Sequence, residues 1–486
     1  MLRPWQTQLW LEHSTGDTIH VRLVNKLIED ILTGRLEAGA LLPGSRSLAT
    51  VLGLNRKTVQ IAYDELIAQG WLVTQVKRGT FVSDRLPEQR MSAQYQHLLA
   101  AAVKPDPEHT EVAIFSEQEN QSGNDGIPDA RLIPYELLAR AYRRALIAAS
   151  RKQYLGYGDP QGTIELRHAL QRMLMQERYL HLSSAQICTV RGSQMAIYLA
   201  SRVLKPSDGV MVFEELTYAP ALAAFEEAGF TILRCKTDQL GLDIAHLQQL
   251  IAGRKVAAIY TTPHHHYPTT VTMGMERRLL LLQLSAQHDF YIVEDDYDHE
   301  FHFDSRPIPP LASLPGAERV LHIGSLSKVF APGLRVGYLV ASAAFIEKVV
   351  QQILTIDRQG NTLTELALAE LLESGEVKRH IRKCNKLYKT RRDHCVYELK
   401  RLFGDRVRFK IPAGGLAFWL NFGTQLQSNL AELATEPHFF VDKQNCFVRF
   451  GFGAFTEQET TAALTRLLSF VNNMGANPQR SQNILD

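Results

Sequence analysis

Cysteine is scarce in this sequence. Five residues (Cys188, Cys235, Cys384, Cys395 and Cys446) are scattered over 486 positions, odd in number and without a C-x-x-C pair. This argues against a disulfide framework or a cysteine-rich zinc site and for reduced thiols in the cytoplasm. A charge excess is missing too: 53 basic against 51 acidic side chains leave +2, so the overall balance selects no nucleic acid, membrane or polyanion, and such a partner must be recognised locally. No apolar run approaches the roughly 18 residues of a membrane-spanning helix. The opening MLRPWQTQLWLEHSTGD has neither the apolar core nor the small-residue cleavage site of a secretory signal, and the cytoplasm is the expected compartment. What the chain does have is a hydrophobic share of 45% and a charged share of 21%, which describe a globular protein with a large core. At roughly 150 residues per domain, its length predicts about three domains, or one large domain and a small one.

The composition changes along the chain. Residues 12–83 read as a compact block, and residues 84–124 as a polar, proline-punctuated linker. Residues 125–475 alternate strand-like with helix-like segments, and residues 476–486 form a polar tail. No solenoid-like repeat interrupts this order.

In the first block, Leu23, Val24, Leu27, Ile28, Ile31 and Leu32 recur at spacings of three and four, the buried face of a helix that Gly34 ends. A second short helix starts near Gly44 or Ser45, presents Leu48, Ala49 and Leu52, and breaks at Gly53. A third starts at Asn55, whose side chain suits the free backbone N–H groups of a first turn, and Val59, Tyr63, Leu66 and Ile67 form its inner stripe. Opposite that stripe, Arg56, Lys57, Thr58 and Gln60 offer donors to phosphates and base edges, at the start that a recognition helix places in the major groove. WLVTQVKRGTFV reads as two strands joined by a turn carrying Lys77 and Arg78, a basic tip able to touch a phosphate or minor groove. From Leu42 to Val82 five basic and two acidic residues give +3, a local excess on the stretch that would face DNA. The string LPGSRSLATVLGLNRKTVQIAYDELIAQGWL, followed by KRGTFV, resembles the winged helix-turn-helix of the GntR family of bacterial repressors. That resemblance implies double-stranded DNA as partner and Arg46, Arg56, Lys57, Thr58 and Gln60 as contacts. Gly44 stands where many relatives carry a small polar residue.

The second block alternates apolar strands (GVMVF, KVAAIYT, FYIVED, RVLHIG) with helices, the pattern of an α/β domain with a mainly parallel central sheet and its ligand site at the carboxyl ends of the strands. After VLHIG come Ser325, Ser327 and Lys328. A lysine in a partly desolvated site can form a Schiff base with an aldehyde cofactor, and Ser325, Ser327 and Arg335 suit a phosphate. In FYIVEDDYDHEF, Asp295 is the carboxylate suited to a pyridine ring nitrogen and Tyr297 to the phenolic oxygen of pyridoxal phosphate, while Glu294, Asp296 and Asp298 fill structural positions. Ser193 and Gln194 open a helix whose free N–H groups suit a phosphate. Tyr218 is positioned to stack on a flat ring, and Arg449 inside an aromatic strand needs an anion, structural or from a substrate.

In order, these residues resemble the fold-type I aminotransferases. The resemblance implies pyridoxal 5'-phosphate on Lys328 with Asp295 and Tyr297 as its chemical partners. It further implies Tyr218 stacking, Ser193, Gln194, Ser325, Ser327 and Arg335 around the phosphate, Arg449 on a substrate carboxylate, and a homodimer with Tyr154 and Tyr157 near the partner's site. Such enzymes carry an N-P-T-G turn whose asparagine meets the cofactor; here TPHHHYPTT stands instead, with His265 or Tyr267 as candidate substitutes. The three histidines, or the acids beside His299 and His302, also suit a metal, but adjacent residues rarely converge on one ion, so no metal site is expected.

A GntR-like winged helix joined to an aminotransferase-like domain is the arrangement of the MocR family of bacterial regulators, which the chain resembles along nearly its full length. The implied function is a transcription regulator sensing pyridoxal phosphate or a small amino compound through an aldimine at Lys328, as a head-to-tail homodimer on paired half-sites, with no membrane partner. The alternative is a working aminotransferase with an attached DNA-binding module; a third reading is an amine sensor without cofactor.

Overall fold

The computed structural model describes residues 18–75, 78–84, 86, 126–151, 154–304, 308–326, 328, 330, 332–423, 439–442 and 447–472. The chain divides into two compact units, Met1–Ile114 and Phe115–Asp486. Apart from Asp84 and Leu86, the expected linker lies outside the described residues, as do the expected tail, Lys77 and Ser327.

In the first unit, α1 (Ile19–Leu32) buries Leu23, Val24, Leu27 and Ile31. Leu32, expected in the same stripe, is 49% exposed because it continues the edge of that stripe at Ile28 rather than its centre. Helix α2 (Ser45–Leu52) stops at Gly53, whose φ of +64° is the left-handed conformation that ends helices. Helix α3 (Arg56–Ala68) starts where expected: the Asn55 side chain accepts the Lys57 backbone N–H at 2.8 Å. Tyr63 of α3 donates its hydroxyl to the Pro43 carbonyl at 2.9 Å, tying this helix to the turn before α2. Strands β1 (Leu72–Gln75) and β2 (Gly79–Val82) pair antiparallel with Leu72 opposite Val82 and complete a winged helix.

The second unit is built on β3 (Ile187–Val190), β4 (Val210–Glu214), β5 (Ile232–Cys235), a short hairpin of β6 (Thr237–Asp238) and β7 (Gly241–Leu242), β8 (Val256–Thr261), β9 (Tyr291–Asp296), β10 (Val320–Ser325) and β11 (Gly337–Val340). Seven of these form one sheet in the order β3-β11-β10-β9-β8-β4-β5, in which only β11 runs antiparallel to its neighbours. Helices cover both faces, so the central strands are apolar on both sides. Met211, Phe213, Tyr260, Val293 and Ile323 face the core shared with helices Ser193–Val203 and Ala343–Ile356. The alternate residues Val212, Ile259 and Ile292 face helices Ile244–Ile251 and Met275–His288. A second, antiparallel sheet of β12 (Arg408–Phe409), β13 (Ala417–Asn421), β14 (Phe439–Asp442) and β15 (Phe447–Gly451), ordered β12-β13-β15-β14, packs on helices Glu376–Phe403 and Glu457–Asn472. Among the described residues no helix is long and apolar enough to cross a membrane.

Register decides what meets at the strand ends. Asp295 of β9 lies opposite Ile323 of β10, and Thr261 of β8 opposite Glu294, so the segments leaving β8, β9 and β10 emerge side by side. This is the edge where open parallel sheets bind ligands.

Candidate functional site

Asp295 is 4% exposed, and its Oδ2 accepts the Tyr260 hydroxyl of β8 at 2.8 Å. Its Oδ1 is buried and has no hydrogen-bond partner among the described residues. Burial pushes the carboxyl up to about 7, against the pull of the Tyr260 hydroxyl and of Lys328. Lys328, three residues past the end of β10, donates from Nζ to the Gly126 carbonyl at 3.2 Å and sits 4.4 Å from the centre of the Tyr297 ring. Tyr297 donates its own hydroxyl to the His265 carbonyl at 3.0 Å. A lysine lies against an aromatic face and within electrostatic reach of a buried carboxylate with one unsatisfied oxygen.

A second corner forms where helix Ser193–Val203 begins. Gly192 precedes it with φ +80°, and a methyl group there would lie 2.9 Å from Arg335 Nη2. Only glycine lets Arg335 approach this closely. Arg335 donates to the Arg191 carbonyl at 2.9 Å, so a guanidinium stands beside the free N–H groups and positive dipole end of the helix. Ser193 is the first residue of that helix, Gln194 donates to the Pro220 carbonyl at 3.0 Å, and Ser325 is buried at the end of β10. A cleft of 790 Å³ opens beside this corner, lined by Arg191, Gln194 and Arg335; its walls do not include Lys328 or Asp295.

The third side carries Tyr218 and Arg449. Tyr218 precedes helix Ala219–Glu227 and meets the Tyr267 ring edge-on at 5.6 Å. Arg449, opposite Trp419 and Phe440 in its sheet, is 2% exposed, donates to the Pro268 carbonyl at 2.8 Å and lies 4.8 Å from the centre of the Tyr267 ring. Gly126 bridges this side to the lysine: its carbonyl accepts Lys328, and a methyl on its Cα would come 3.3 Å from Arg449 Nη2. Of the two candidate substitutes for the missing asparagine, Tyr267 stands among Tyr218, Tyr297 and Arg449, whereas the His265 ring turns to Asp298, 2.8 Å away. Tyr154 donates to Glu165 at 3.1 Å, and Tyr157 is 81% exposed with Arg358 against its ring.

Sequence reasoning missed Tyr260 and Gly126. Tyr260 sits in an all-buried strand and reads as core; the signal for Gly126 was a G-I-P-D string after a polar stretch, with no periodicity to assign it. The three interstitial acids have structural partners. Glu294 accepts the Leu311 and Ala312 backbone N–H groups and pairs with His322, Asp296 pairs with Arg178, and Asp298 with His265.

In the winged helix, Arg46, Arg56, Lys57, Gln60 and Arg78 are exposed and Thr58 is half-buried. Gln60 donates to Asp64 at 3.0 Å, a contact it must exchange to reach a base.

Residues 20–82 match the family described as bacterial regulatory proteins, gntR family, and residues 129–467 match aminotransferase class I and II. Fold and matches together define a GntR-type transcription regulator fused to an aminotransferase-like domain. The GntR domain implies DNA binding, and the aminotransferase fold implies pyridoxal phosphate in homologues. The chain belongs to the MocR family. It is 27% identical to the probable rhizopine catabolism regulatory protein MocR of Rhizobium meliloti, over 87% of this chain and 85% of that one. It is 30% identical to the HTH-type transcriptional regulator TauR of Rhodobacter capsulatus, over 82% and 83%. Among solved structures, a multiple substrate aminotransferase from Thermococcus profundus matches with a TM-score of 0.66 and 25% identity, covering 77% of this chain and 98% of that one.

Proposed function

We propose that this chain is a pyridoxal-phosphate-dependent transcription regulator of the cytoplasm whose aminotransferase-like domain senses the cofactor itself or a small amino compound. The observation that carries the reading is Asp295 Oδ1, a buried carboxylate oxygen without a hydrogen-bond partner among the described residues, on a carboxylate within electrostatic reach of the Lys328 amine. A pyridinium nitrogen is the donor that such an acceptor suits, and a buried acceptor left unsatisfied costs about 1–3 kcal/mol. Ser193, Gln194, Ser325, Ser327 and Arg335 would hold the phosphate and Tyr218 the ring face. When bound, pyridoxal phosphate supplies an aldehyde for amines and an electron-withdrawing ring.

The chain's own residues then have distinct tasks. Lys328 presents its amine, held by the Gly126 carbonyl over the Tyr297 ring. Asp295, with Tyr260 fixing its other oxygen, keeps a proton on the ring nitrogen. Arg449 binds the carboxylate of an amino compound, at the cost of exchanging its contact with the Pro268 carbonyl. Because the Gly126 carbonyl holds Lys328 and its Cα lies beside Arg449, an amino compound that engages both side chains would displace the segment around Gly126. That segment follows the expected linker to the winged helix, so the effector and the DNA-binding heads share one connection. Regulation requires the effector to bind one domain arrangement better than the other, since equal affinity shifts nothing. Two heads of a head-to-tail homodimer would read paired half-sites through Arg46, Arg56, Lys57, Thr58, Gln60, Lys77 and Arg78.

The test is the visible spectrum of the purified chain with pyridoxal phosphate, before and after adding a panel of amines. An absorption band absent in Lys328→Ala, shifted by one amine without turnover, supports the sensor. No band in the wild type overturns the cofactor reading. Lys328, Asp295, Tyr297 and Arg449 also complete the set that amino-group transfer needs, which favours the working aminotransferase as second reading; sustained turnover with a 2-oxo acid would establish it.

A further inference from the structure

We propose that His264, Asp296 and His299 form a binding site for a divalent transition-metal ion of the zinc type, behind the strand edge that carries Asp295. The three come from two stretches of chain: His264 from the segment after β8, and Asp296 and His299 from the last position of β9 and the turn that follows it. One ligand atom from each lies within 4.8 Å of the other two, and all three residues are buried. Two imidazoles and one carboxylate are a donor set that zinc and its neighbours accept, with water or another group in the fourth position.

The unsatisfied atoms point the same way. Neither ring nitrogen of His264, which is 6% exposed, has a hydrogen-bond partner among the described residues, and Asp296 Oδ1 has none either. Arg178 takes the other oxygen, Oδ2, at 2.9 Å, which leaves Oδ1 for a cation. The His264 and His299 rings stack at 4.6 Å; His299 Nδ1 lies 2.9 Å from Asp296 Oδ2, and its Nε2 has no hydrogen-bond partner among the described residues. Charge permits a dication: among the described residues, Glu294, Asp296, Asp298 and Glu300 gather here with two buried guanidinium groups, Arg178 and Arg278. Access exists through a cleft of 460 Å³ whose walls include Arg178, His299, Glu300 and His302. Ligand atoms on a tetrahedral zinc stand roughly 3.3 Å apart, given bonds of about 2.0 Å, so binding closes any pair of ligand atoms by at most about 1.5 Å. The expectation of no metal rested on three adjacent histidines being unable to converge. The fold separates them: His265 turns to Asp298, His266 to Thr269 and Glu214, and His264 alone faces β9.

The experiment uses the tag-free full chain, stripped with a chelator and titrated with zinc against a chromophoric indicator, beside His264→Ser and His299→Ser. One tight zinc per chain is expected in the wild type. Each variant should bind it more than about 100-fold more weakly, since losing a ligand exceeds the 10–100-fold effect of losing an outer partner. No zinc binding, or binding that both variants retain, overturns the site. If a variant fails to fold, X-ray absorption of the zinc-loaded wild type decides: two imidazole nitrogens with oxygen support the site, and sulfur or all-oxygen coordination refutes it.

Discussion

Arg56 and Lys57 occupy the first turn of α3 with exposed side chains, while Asn55 caps that turn through the backbone N–H of Lys57 rather than its ammonium. Replacing both with alanine therefore leaves the cap and the inner stripe intact, and the unfolding free energy should move by no more than about 0.5 kcal/mol. DNA affinity should change far more. Each phosphate contact contributes about 0.9 to the slope of log affinity against log salt, so losing two contacts lowers the slope by about 1.8 per head, or about 3.6 for two heads on one operator. Relative to 1 M salt, where this term vanishes, that is an affinity loss of about 30-fold per head at 0.15 M and about 1,000-fold for the pair. Fluorescence anisotropy on an operator fragment at three or four salt concentrations measures the slope, with thermal unfolding as the fold control. A slope unchanged by the double substitution would refute α3 as the DNA-facing element. A smaller change in slope with relaxed sequence preference would mean that one of the two reads a base edge.

Two further outcomes concern the large domain. Gly192→Ala forces a methyl to within 2.9 Å of Arg335 at a φ of +80°, a strain of about 1–3 kcal/mol. Pyridoxal phosphate should then bind about 10-fold or more weakly in a fluorescence titration, and unchanged affinity would remove this corner from the phosphate site. Tyr260→Phe takes the hydroxyl from Asp295 Oδ2, and above about pH 8, where that carboxylate is charged, loss of the hydrogen bond should destabilise the cofactor-free chain by about 1.5–3 kcal/mol in denaturant unfolding. A change below 0.5 kcal/mol would mean that Asp295 does not depend on this contact.

Much of this site was legible before any fold was known, and the reason is locality. Asn55 caps α3 because a cap needs only residues two or three positions apart. Lys328 and Asp295 announced themselves as polar residues following apolar strands, and in a parallel sheet such residues collect at one edge. Tyr260 was hidden for the opposite reason. A tyrosine in a fully buried strand has the same pattern whether it fills space or orients a carboxylate, and only the pairing of β8 with β9 brings its hydroxyl to Asp295. Gly126 was invisible because its partner Lys328 and the nearby Arg449 lie 202 and 323 positions away. Leu32 failed in the other direction: helical spacing marked it as inner, and its place at the edge of the stripe left it exposed.

The division follows how far each interaction reaches along the chain. Helix starts and stops, strand alternation, the winged-helix order and the chemical identity of the lysine and the aspartate are properties of neighbouring residues, and the amino-acid order alone sets them. Which aromatic ring meets Lys328, which hydroxyl steadies Asp295, and which of three consecutive histidines faces Asp296 and His299 depend on strand register. A shift of one residue in a strand turns every side chain to the opposite face, so these meetings exist only once the sheet has assembled.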